Sequence, residues 1–379
     1  MSLILSIAGA LVLLMATAGA VFGVVAAVSM GGFLGRAATP PRRRPAVTIL
    51  RPMKGLDPEA DANLLSLVEQ DYRGSVRIVL GADSEADPAI AAARRLQAER
   101  PGHDIVVIAD PTQHGTNRKL SNLINMAPHV TGEIVVISDS DVRLPPDGLS
   151  ALVGALEPEG AGLAYALYRG RPTGNLWSRL AALDINARFA GSVVMGQALK
   201  AHPVLGPTMA VKARALAGAG GFERLKDVLA DDFELGRMVR EQGLSIACPP
   251  MLIDHGFPER SLAELWRHEL RWARTIRLLN PGGYGGSLIT YVVPLALIGA
   301  ALTSFHPYAM IALGVLAGAR LTFGLLSCLL MQADTGVLWL FAVRDVLAFA
   351  VFLAAFFGDG VEWRGARLRV KPDGAMASS

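Results

Sequence analysis

Two aspartates separated by a single residue directly follow a short apolar run and could together hold a divalent cation. Asp139 and Asp141 come after residues 134–137, the β-branched run IVVI, which predicts a buried strand. Carboxylates at positions i and i+2, just past the carboxyl end of such a strand, converge on one hard cation if the chain turns there. The same pair is also common in ordinary turns, so other parts of the sequence are needed to distinguish a metal site from a simple turn.

Other charged residues could act beside this pair. Asp83 ends a second apolar run, where a carboxylate can accept hydrogen bonds from a base or a ribose, or can simply begin the following helix. Lys54 and Lys119 lie in a turn and near a helix start, which suits a diphosphate contact as well as a solvated surface position. In the pair Asp231-Asp232, the second acid is a candidate general base, with a helix-capping role as the alternative.

Strands and helices alternate over residues 46–141, a pattern typical of a parallel sheet. The predicted strands are 46–50, 75–81, 104–109 and 133–141, and the predicted helices are 57–69, 88–99 and 117–127. Another helix is predicted to start at the acidic pair and to continue through Arg240. Since the carboxyl ends of parallel strands meet at one edge, the acids that follow them are expected to lie together. The predicted fold class is therefore α/β, with a Rossmann-like and mostly parallel sheet.

The apolar residues concentrate at the two ends of the chain. Of the 379 residues, 52% are hydrophobic, and the mean hydropathy is +0.38, both high for a soluble protein. Residues 3–30 carry no charge and are long enough to cross a bilayer, and the run is too long for a cleaved signal peptide. Four arginines follow this predicted anchor and indicate that the next residues lie in the cytosol. They are Arg36, Arg42, Arg43 and Arg44.

Three more apolar segments follow near the carboxyl end, at 287–305, 307–331 and 336–357. Arg320, Arg344 and Asp345 interrupt them, and ionisable residues at such depth normally face a partner helix or a polar pathway. Three spans would leave the tail outside, whereas its basic residues favour the inside. These residues are Arg364, Arg367, Arg369 and Lys371. Three or four spans are therefore expected in total, with one segment re-entrant or interfacial if the tail stays inside.

The remaining composition argues against other classes of protein. Cys248 and Cys328 lie far apart without metal-ligand spacing, which indicates buried thiols and no disulfide framework. The formal net charge of +3 is small, and the basic residues gather near the predicted membrane boundaries. This distribution suits anionic lipid headgroups, and since no nucleic-acid motif is present, we expect no nucleic-acid partner.

Six short segments occur in the order in which one enzyme family carries them. They are RPMKGLDP at 51–58, GADSEADPAI at 81–90, GTNRKLSNL at 115–123, ISDSDVR at 137–143, GGFERLKDVLADDFELG at 220–236 and HELRW at 268–272. WRGARLRV at 363–370 is similar to the family's ending. With these segments the chain resembles the processive and lipid-acting inverting glycosyltransferases of GT-A fold. Within them it is most similar to the ceramide glucosyltransferase family and its bacterial relatives, including hopanoid-associated glycosyltransferases.

The resemblance implies roles for the charged residues. It implies that Asp83 binds the nucleoside and that Lys54 and Lys119 bind the diphosphate. It also implies that Asp139 and Asp141 bind Mn²⁺ or Mg²⁺. Of the last two, the ceramide branch keeps the acid that corresponds to Asp139.

The same resemblance points to Asp232 as the general base, with Asp231 in reserve. It implies that Arg271 holds the diphosphate and that Trp272 packs at the acceptor end of the site. His268 stands where the family has Gln or Arg, so the resemblance does not give its role. An amphipathic helix on the membrane surface explains the same alternation of apolar and basic residues, and the two interpretations are compatible.

The predicted function is transfer of a hexose, glucose or N-acetylglucosamine, from a UDP-sugar to the hydroxyl of ceramide or a hopanoid, which forms a β-glycolipid. One alternative is a processive polysaccharide synthase of the cellulose or hyaluronan type, although such enzymes usually have more membrane helices. Another is a non-catalytic nucleotide-sugar-binding membrane protein, although the candidate base is present. Residues 175–211 mix apolar and polar side chains and are a hypothetical acceptor groove.

The predicted organisation has six parts in the bacterial inner membrane, with a cytosolic catalytic domain. They are an anchor at 1–32, a Pro/Arg-rich linker at 33–45, the GT-A domain at 46–260, an interfacial helix at 261–285, membrane helices at 286–358 and a basic cytosolic tail at 359–379.

Overall fold

The structure, a computed structural model, describes residues 3–201, 203–358, 360–363, 366–370 and 376–378. Two compact units divide the chain. The sheet unit consists of Gly35–Arg169 and His202–Pro258, and the helical unit consists of Met1–Leu34, Gly170–Ala201 and Glu259–Ser379.

The helices and strands follow one another in chain order. The helices are α1 (Leu3–Leu34), α2 (Ala60–Val68), α3 (Pro88–Glu99), α4 (Arg118–Met126), α5 (Gly148–Ala155), α6 (Leu176–Asp184), α7 (Ala190–Ala198), α8 (Ala213–Gly218), α9 (Asp231–Glu241), α10 (Leu262–Leu279), α11 (Pro281–Gly286), α12 (Val292–Leu302), α13 (Pro307–Leu330) and α14 (Phe341–Ala354). The strands are β1 (Val47–Pro52), β2 (Val76–Ala82), β3 (Asp104–Ala109), β4 (Ile134–Ser138), β5 (Val142–Arg143), β6 (Ala161–Tyr165), β7 (Leu167–Pro172), β8 (Thr208–Lys212), β9 (Ser245–Ala247), β10 (Leu252–Phe257), β11 (Gly360–Trp363), β12 (Ala366–Val370) and β13 (Met376–Ser378). A π-helical turn, Ile185–Phe189, joins α6 to α7.

A seven-stranded sheet, in the order β3-β2-β1-β4-β8-β6-β9, forms the core of the sheet unit. Strands β1 to β4 are parallel, with Ile49 of β1 opposite Ile78 of β2 and Val136 of β4. Every residue of β1 and β4 is buried, which explains why both strands are mostly apolar. The predicted mostly parallel sheet is thus confirmed. Strand β8 runs antiparallel to β4 and β6, so the last residues of the hypothetical acceptor groove form a buried strand instead.

Strand β8 also adds a loop to the functional edge of the sheet. It runs opposite to β4, so its first residue, Thr208, pairs with the last residue of β4, Ser138. The backbone N–H of Asp139 donates a 2.9 Å hydrogen bond to the carbonyl of Pro207. The loop before β8 therefore lies at the same edge as the carboxyl ends of the parallel strands and fixes the start of the Asp-Ser-Asp turn.

In the helical unit, α12 runs antiparallel to α1. Gly9 of α1 lies against Thr303, just past the end of α12, and Gly19 lies against Ile289, just before its start. The side chain that Gly19 lacks would collide with the Ile289 carbonyl, so glycine is needed for this close approach.

Helix α13, by contrast, runs parallel to α1. Gly23 lies against the ring of Phe323, and Gly31 lies against Leu330, about two turns further along both helices. Helices α12 and α13 therefore form a hairpin, and α13 ends at the same level as the carboxyl end of α1. Ala16, Ala20 and Ala27 are buried in the seam between the three helices.

Two helices, α1 and α13, are long and apolar enough to cross a membrane. The stretch from α11 to residue 290 forms a pair with α12 that is bent by 69°, and the pair is a third candidate if it counts as one span. Helix α14 has 14 residues and measures about 21 Å, less than the ~30 Å of hydrocarbon in a bilayer. The described residues thus contain two or three candidate spans, where the sequence predicts three or four.

The charged residues of the carboxyl-terminal helices form ion pairs with residues of neighbouring helices. Arg320 donates two hydrogen bonds of 2.8 Å to Asp345. Arg344 contacts Glu269 of α10 and lies 3.6 Å from Asp184 of α6. Arg320, Arg344 and Asp345 are all buried.

The basic tail and the two cysteines are also subjects of the sequence predictions. Arg364 and Lys371 of the predicted basic tail lie outside the described residues. Within the described chain neither cysteine is in a disulfide, and Cys328 is buried whereas Cys248 is half-buried.

Candidate active site

A lysine bridges two carboxylates at the carboxyl edge of the parallel strands. The Nζ atom of Lys119 lies 2.8 Å from Oδ1 of Asp139 and 3.2 Å from Oδ2 of Asp231. The three side chains are 12%, 29% and 13% exposed, so water screens these charges weakly. The structure thus brings together Lys119, predicted to bind the diphosphate, Asp139, predicted to bind the metal, and Asp231, the neighbour of the predicted base.

Burial and neighbouring charges act against each other in this cluster. Burial by itself lowers the pKa of Lys119, but Asp139, Asp231 and Asp232 outweigh it and raise that pKa well above its ordinary value. The pKa of Asp139 is raised, because burial and the charge of Asp141 outweigh the effect of Lys119. Lys119 is therefore a permanent positive charge at this edge.

The loop that carries Lys119 is bound to the loop that leads to the acidic pair. Asn117 caps α4 by accepting a 3.1 Å hydrogen bond from the N–H of Leu120. Its backbone N–H donates to the carbonyl of Lys226, and its side-chain amide donates to that of Val228. Thr116 reinforces this contact with two hydrogen bonds to one carboxylate oxygen of Asp227. These bonds hold the start of α4 against the segment that precedes α9.

Asp232 is the second residue of α9, and it does not cap the helix. The capping position is Ala230, and the Asp232 carboxylate accepts a 2.8 Å hydrogen bond from the N–H of the next residue, Phe233. Burial, followed by repulsion from Asp231, raises the pKa of Asp232 to about 6. Gly206 packs so closely that a Cβ atom there would lie 3.0 Å from Oδ2 of Asp232. A carboxylate with such a pKa is suited to taking up a proton near neutral pH.

Asp141 faces a histidine that the sequence analysis did not single out. Oδ2 of Asp141 lies 3.3 Å from Nε2 of His255 in β10. Burial opposes the ionisation of Asp141, but His255 and Arg51 lower its pKa below the ordinary value. Oδ1 of Asp141 is buried and accepts no hydrogen bond from the described residues. His255 lies more than a hundred residues from Asp141 in a strand without a metal-ligand motif, so the sequence offered no signal for this contact.

Arg51, at the end of β1, anchors the turn that carries both aspartates. It is fully buried, and its guanidinium donates to the carbonyl of Asn63 at 2.7 Å, to Oγ of Ser138 at 2.9 Å and to the carbonyl of Val142 at 3.0 Å. Burial lowers the pKa of Arg51 to about 10, so it still carries its charge at neutral pH. Arg51 opens the RPMKGLDP segment, but its role depends on contacts far away in the chain, which the sequence analysis could not supply.

Asp83 and Lys54 form a separate pair at the same edge, with 2.6 Å between Nζ and Oδ1. The helix-start alternative for Asp83 does not apply, because the residue that caps α3 is Asp87, whose carboxylate accepts from the N–H of Ala89 at 2.9 Å. Asp87 also accepts from the N–H of Gly55. The turn after β1 and the turn after β2 are thus joined, and Asp83 stays partly exposed.

The donor atoms at this edge fit a divalent cation that is shared with a substrate. Among the described residues, no three His, Cys, Asp or Glu side chains are grouped to hold a metal ion. Mg²⁺ usually needs only one or two carboxylates when substrate phosphates complete its shell. Asp139 and Asp141 meet that requirement, and the buried Oδ1 of Asp141 offers an oxygen with no other partner in the described structure. They do not form a cage that would hold a metal alone.

Arg271 and Trp272 belong to the helical unit, in α10. The ring of Trp272 lies edge-on to His268, with 4.3 Å between centroids, and the Arg271 guanidinium lies 6.0 Å from the Trp272 ring. His268 in turn contacts the buried carboxylate of Glu259. His268, whose role the resemblance leaves open, thus lies between the Glu259 carboxylate and the Trp272 ring.

Comparison with known proteins assigns the chain to a family. The sequence pattern that defines glycosyl transferase family 21 matches residues 10–376. The chain belongs to this family. It is 37% identical over 114 residues to a ceramide glucosyltransferase of Komagataella phaffii, a match that covers 29% of this chain and 22% of the relative. It is 23% identical over 204 residues to ceramide glucosyltransferase 1 of Caenorhabditis elegans, which covers 54% of this chain and 44% of the relative.

The fold has a solved counterpart over almost the whole chain. A mannosyltransferase from Pyrobaculum calidifontis, solved in complex with GDP-Man and Mn²⁺, superposes with a TM-score of 0.54 at 20% identity. The match covers 92% of this chain and 99% of that structure. The predicted GT-A fold of this family 21 protein is thereby confirmed. The chain spans less than half the length of either curated relative, so those matches concern part of each relative.

Proposed function

We propose that this family 21 protein is a membrane-bound inverting glycosyltransferase. It transfers a hexose, glucose or N-acetylglucosamine, from a UDP-sugar to the hydroxyl of a membrane lipid and forms a β-glycoside. The acceptor is ceramide or a hopanoid, and the curated relatives, which are named ceramide glucosyltransferases, favour ceramide and glucose. The single observation that carries the proposal is Asp232, a partly buried carboxylate with a pKa of about 6 beside the Lys119 cluster.

The sheet edge supplies the contacts that a donor of this kind needs. Asp83 would bind the nucleoside, and Lys54, 2.6 Å away, would hold Asp83 in place or reach the diphosphate. Asp139 and Asp141 would hold Mn²⁺ or Mg²⁺, and this cation, when bound, neutralises negative charge on the leaving diphosphate. Lys119 adds a second positive charge at that place. We also propose that Arg271 binds the diphosphate and that Trp272 packs at the acceptor end of the site.

Asp232 would remove the proton from the acceptor hydroxyl. The lipid oxygen then bonds to the anomeric carbon of the sugar while the bond from that carbon to the diphosphate oxygen breaks. UDP leaves with the electron pair, and the proton stays on Asp232 until solvent takes it. One base and one displacement invert the configuration, so an α-linked donor gives a β-glycoside. Asp231 raises the pKa of Asp232 and so makes it a better proton acceptor.

We further propose that the protein lies in a bacterial inner membrane with the sheet unit in the cytosol, where UDP-sugars are made. The two or three candidate spans and the arginines after α1 support this orientation. The hairpin of α12 and α13 returns the chain to the level where α1 ends, which agrees with a cytosolic tail.

The test is sugar transfer by membranes that carry the protein. Labelled UDP-glucose or UDP-N-acetylglucosamine is supplied with ceramide or bacteriohopanetetrol, Mn²⁺ or Mg²⁺ is present or chelated, and lipid products are separated. We expect a β-linked glycolipid that depends on the cation and is absent in Asp232→Asn. The absence of any labelled lipid with every pair would refute the proposal, and a polymeric product would support a polysaccharide synthase instead.

A further inference from the structure

Buried and half-buried positions alternate along β10, and one of the buried positions holds a histidine. Ile253, His255 and Phe257 face the interior of the sheet unit, and His255 is 6% exposed. The other two positions carry apolar side chains, which is the usual choice at such places. An imidazole costs free energy there unless it is hydrogen-bonded. The burial pattern of the strand therefore does not by itself account for this histidine.

Strand β10 also holds the backbone of the Asp-Ser-Asp turn. It pairs antiparallel with β5, so that His255 lies opposite Val142. The N–H of Gly256 donates a 2.9 Å hydrogen bond to the carbonyl of Asp141. Because the residue before Val142 and the residue after His255 are joined in this way, the sheet itself sets the distance between Asp141 and His255.

Two aromatic rings fix the side chain of His255. The centroid of its ring lies 5.1 Å from that of Tyr168 in β7 and 4.9 Å from that of Phe257, and both contacts are edge to face. Both aromatic residues are buried. Since rotation of the imidazole would break these contacts, Nε2 stays directed at Asp141, with 3.3 Å to its Oδ2 atom. With a proton on Nε2, the ring donates to that oxygen.

The contact with His255 restrains one oxygen of a candidate metal ligand and leaves the other oxygen. Oδ1 of Asp141 accepts no hydrogen bond from any part of the chain that the structure describes. Asp139, by contrast, contacts Lys119, whose four-carbon stem is flexible. One candidate metal carboxylate thus faces a flexible ammonium group, and the other faces a packed ring. A ligand that is already held in place loses less freedom when a cation binds.

We propose that His255 is a positioning residue of the metal site, which holds the Asp141 carboxylate in the orientation that binds the divalent cation. His255 acts only through Asp141 and contacts neither the cation nor the substrate. The inference rests on the proposed function, in which Asp141 is a metal ligand. It adds to that function a residue that lies outside the six segments of the family resemblance.

Three replacements of His255 separate positioning from packing. His255→Phe keeps an aromatic ring at this place but has no N–H to donate. His255→Gln carries an amide N–H at about the reach of Nε2, whereas His255→Asn carries the same amide on a side chain that is one carbon shorter. If His255→Phe does not fold, His255→Asn takes its place. The matched control is Ile253→Val, which removes one methyl group from the same buried face of β10 and leaves His255 unchanged.

The measurement is binding of Mn²⁺ to the purified full chain in phosphatidylcholine nanodiscs with saturating UDP, followed by the EPR signal of free Mn²⁺. UDP is present because substrate phosphates are expected to complete the shell of the cation. His255→Phe and His255→Asn should weaken Mn²⁺ binding by about 10- to 100-fold, the usual effect of removing the partner of a metal ligand. His255→Gln should restore most of the affinity, and Ile253→Val should leave it unchanged. In an Asp141→Asn background, His255→Phe should weaken binding no further.

Several results would overturn the inference. The first is an unchanged Mn²⁺ affinity in folded His255→Phe or His255→Asn. The second is a loss in His255→Gln as large as that in His255→Phe, or a further loss in the Asp141→Asn background, since His255 would then not act by donating to Asp141. The third is an equal loss in Ile253→Val, which would assign the effect to the stability of β10. If the original chain bound no Mn²⁺ with UDP, the inference and the cation of the proposed function would both be refuted.

Sugar transfer in the same samples separates this inference from the proposed function. His255→Phe should need about 10- to 100-fold more Mn²⁺ for half-maximal transfer, and high Mn²⁺ should bring its rate close to that of the original chain. Weaker Mn²⁺ binding by His255→Phe, without labelled lipid from any donor and acceptor, would refute the proposed function and keep the role of His255. Cation-dependent transfer with an unchanged Mn²⁺ requirement in His255→Phe would refute the role of His255 and keep the enzyme.

Discussion

The carboxyl group of Asp232 affects stability and catalysis in opposite directions. Its pKa rises from 3.8 to about 6 in the folded protein, and each unit of pKa corresponds to about 1.4 kcal/mol. A raised pKa means that the folded state favours the protonated form. The associated stability is present in full below pH ~4 and is lost as the pH rises through ~6. At pH 8, ionised Asp232 therefore costs the folded protein up to about 3 kcal/mol.

Asp232→Asn keeps a neutral side chain of the same shape at every pH. We expect the variant to unfold with a free energy up to about 3 kcal/mol higher than that of the original chain at pH 8, with no difference below pH ~4. Its transfer rate should fall by about 10²–10⁴, the usual contribution of a general base. Melting in detergent with EDTA, across pH 4 to 8, measures the first effect, and transfer of labelled hexose measures the second.

The neighbouring acid provides the comparison. Asp231→Asn removes a partner of Lys119 at 3.2 Å, so it should lower stability slightly. Since Asp231 also raises the pKa of Asp232, the acidic limb of the activity profile should move to lower pH while activity persists. If Asp231→Asn lost activity while Asp232→Asn kept it, Asp231 would be the general base and Asp232 its neighbour. If Asp232→Asn gained no stability at pH 8, the reasoning about its buried charge would be refuted.

Three further predictions concern buried charges. Arg51→Met leaves three buried oxygens without their donor and should lower the free energy of unfolding by about 3–5 kcal/mol, measured by melting in detergent. Lys119→Gln removes a charge that lowers the pKa of Asp232, so the acidic limb of kcat/KM should move to higher pH, whereas Lys226→Gln, which removes a 3.6 Å contact on the exposed surface, should not move it. Asp345→Asn should destabilise the helical unit by about 3–5 kcal/mol because Arg320 loses its buried partner, and the double variant Arg320→Met with Asp345→Leu should recover most of that loss. A destabilisation by the double variant as large as that by Asp345→Asn would contradict this last prediction.

Elements with local signals could be predicted closely from the sequence. Strands β1 to β4 are mostly apolar, and α3 and α4 begin after the capping residues Asp87 and Asn117. Because each signal depends on residues next to one another, its position does not require the fold. The sequence predicts that Lys119 and Asp139 lie at the same edge of the sheet, because both follow parallel strands. It does not predict that the two side chains are in contact.

Contacts that depend on reversed or distant chain segments could not be predicted in this way. Strand β8 pairs antiparallel with β4, and nothing in its short run distinguishes that direction. The bonds of Arg51 to the Asp-Ser-Asp turn and the approach of His255 to Asp141 join residues about ninety or more positions apart. The metal and the base remain predictions that the geometry at the sheet edge fits, and the roles of Arg271 and Trp272, which lie in the helical unit, remain predictions as well.

The hairpin of α12 and α13 has a consequence for reagents that cannot cross the bilayer. Its connecting loop consists of residues 303–306, between the end of α12 and the start of α13. Since α13 ends level with α1, the described helical unit presents little more than this loop and the first turn of α1 to the far side. A soluble inhibitor or antibody that approaches from there would find almost no surface to hold. If the sheet unit lies in the cytosol, as proposed, compounds against this protein would have to enter the cell or to reach it through the lipid phase.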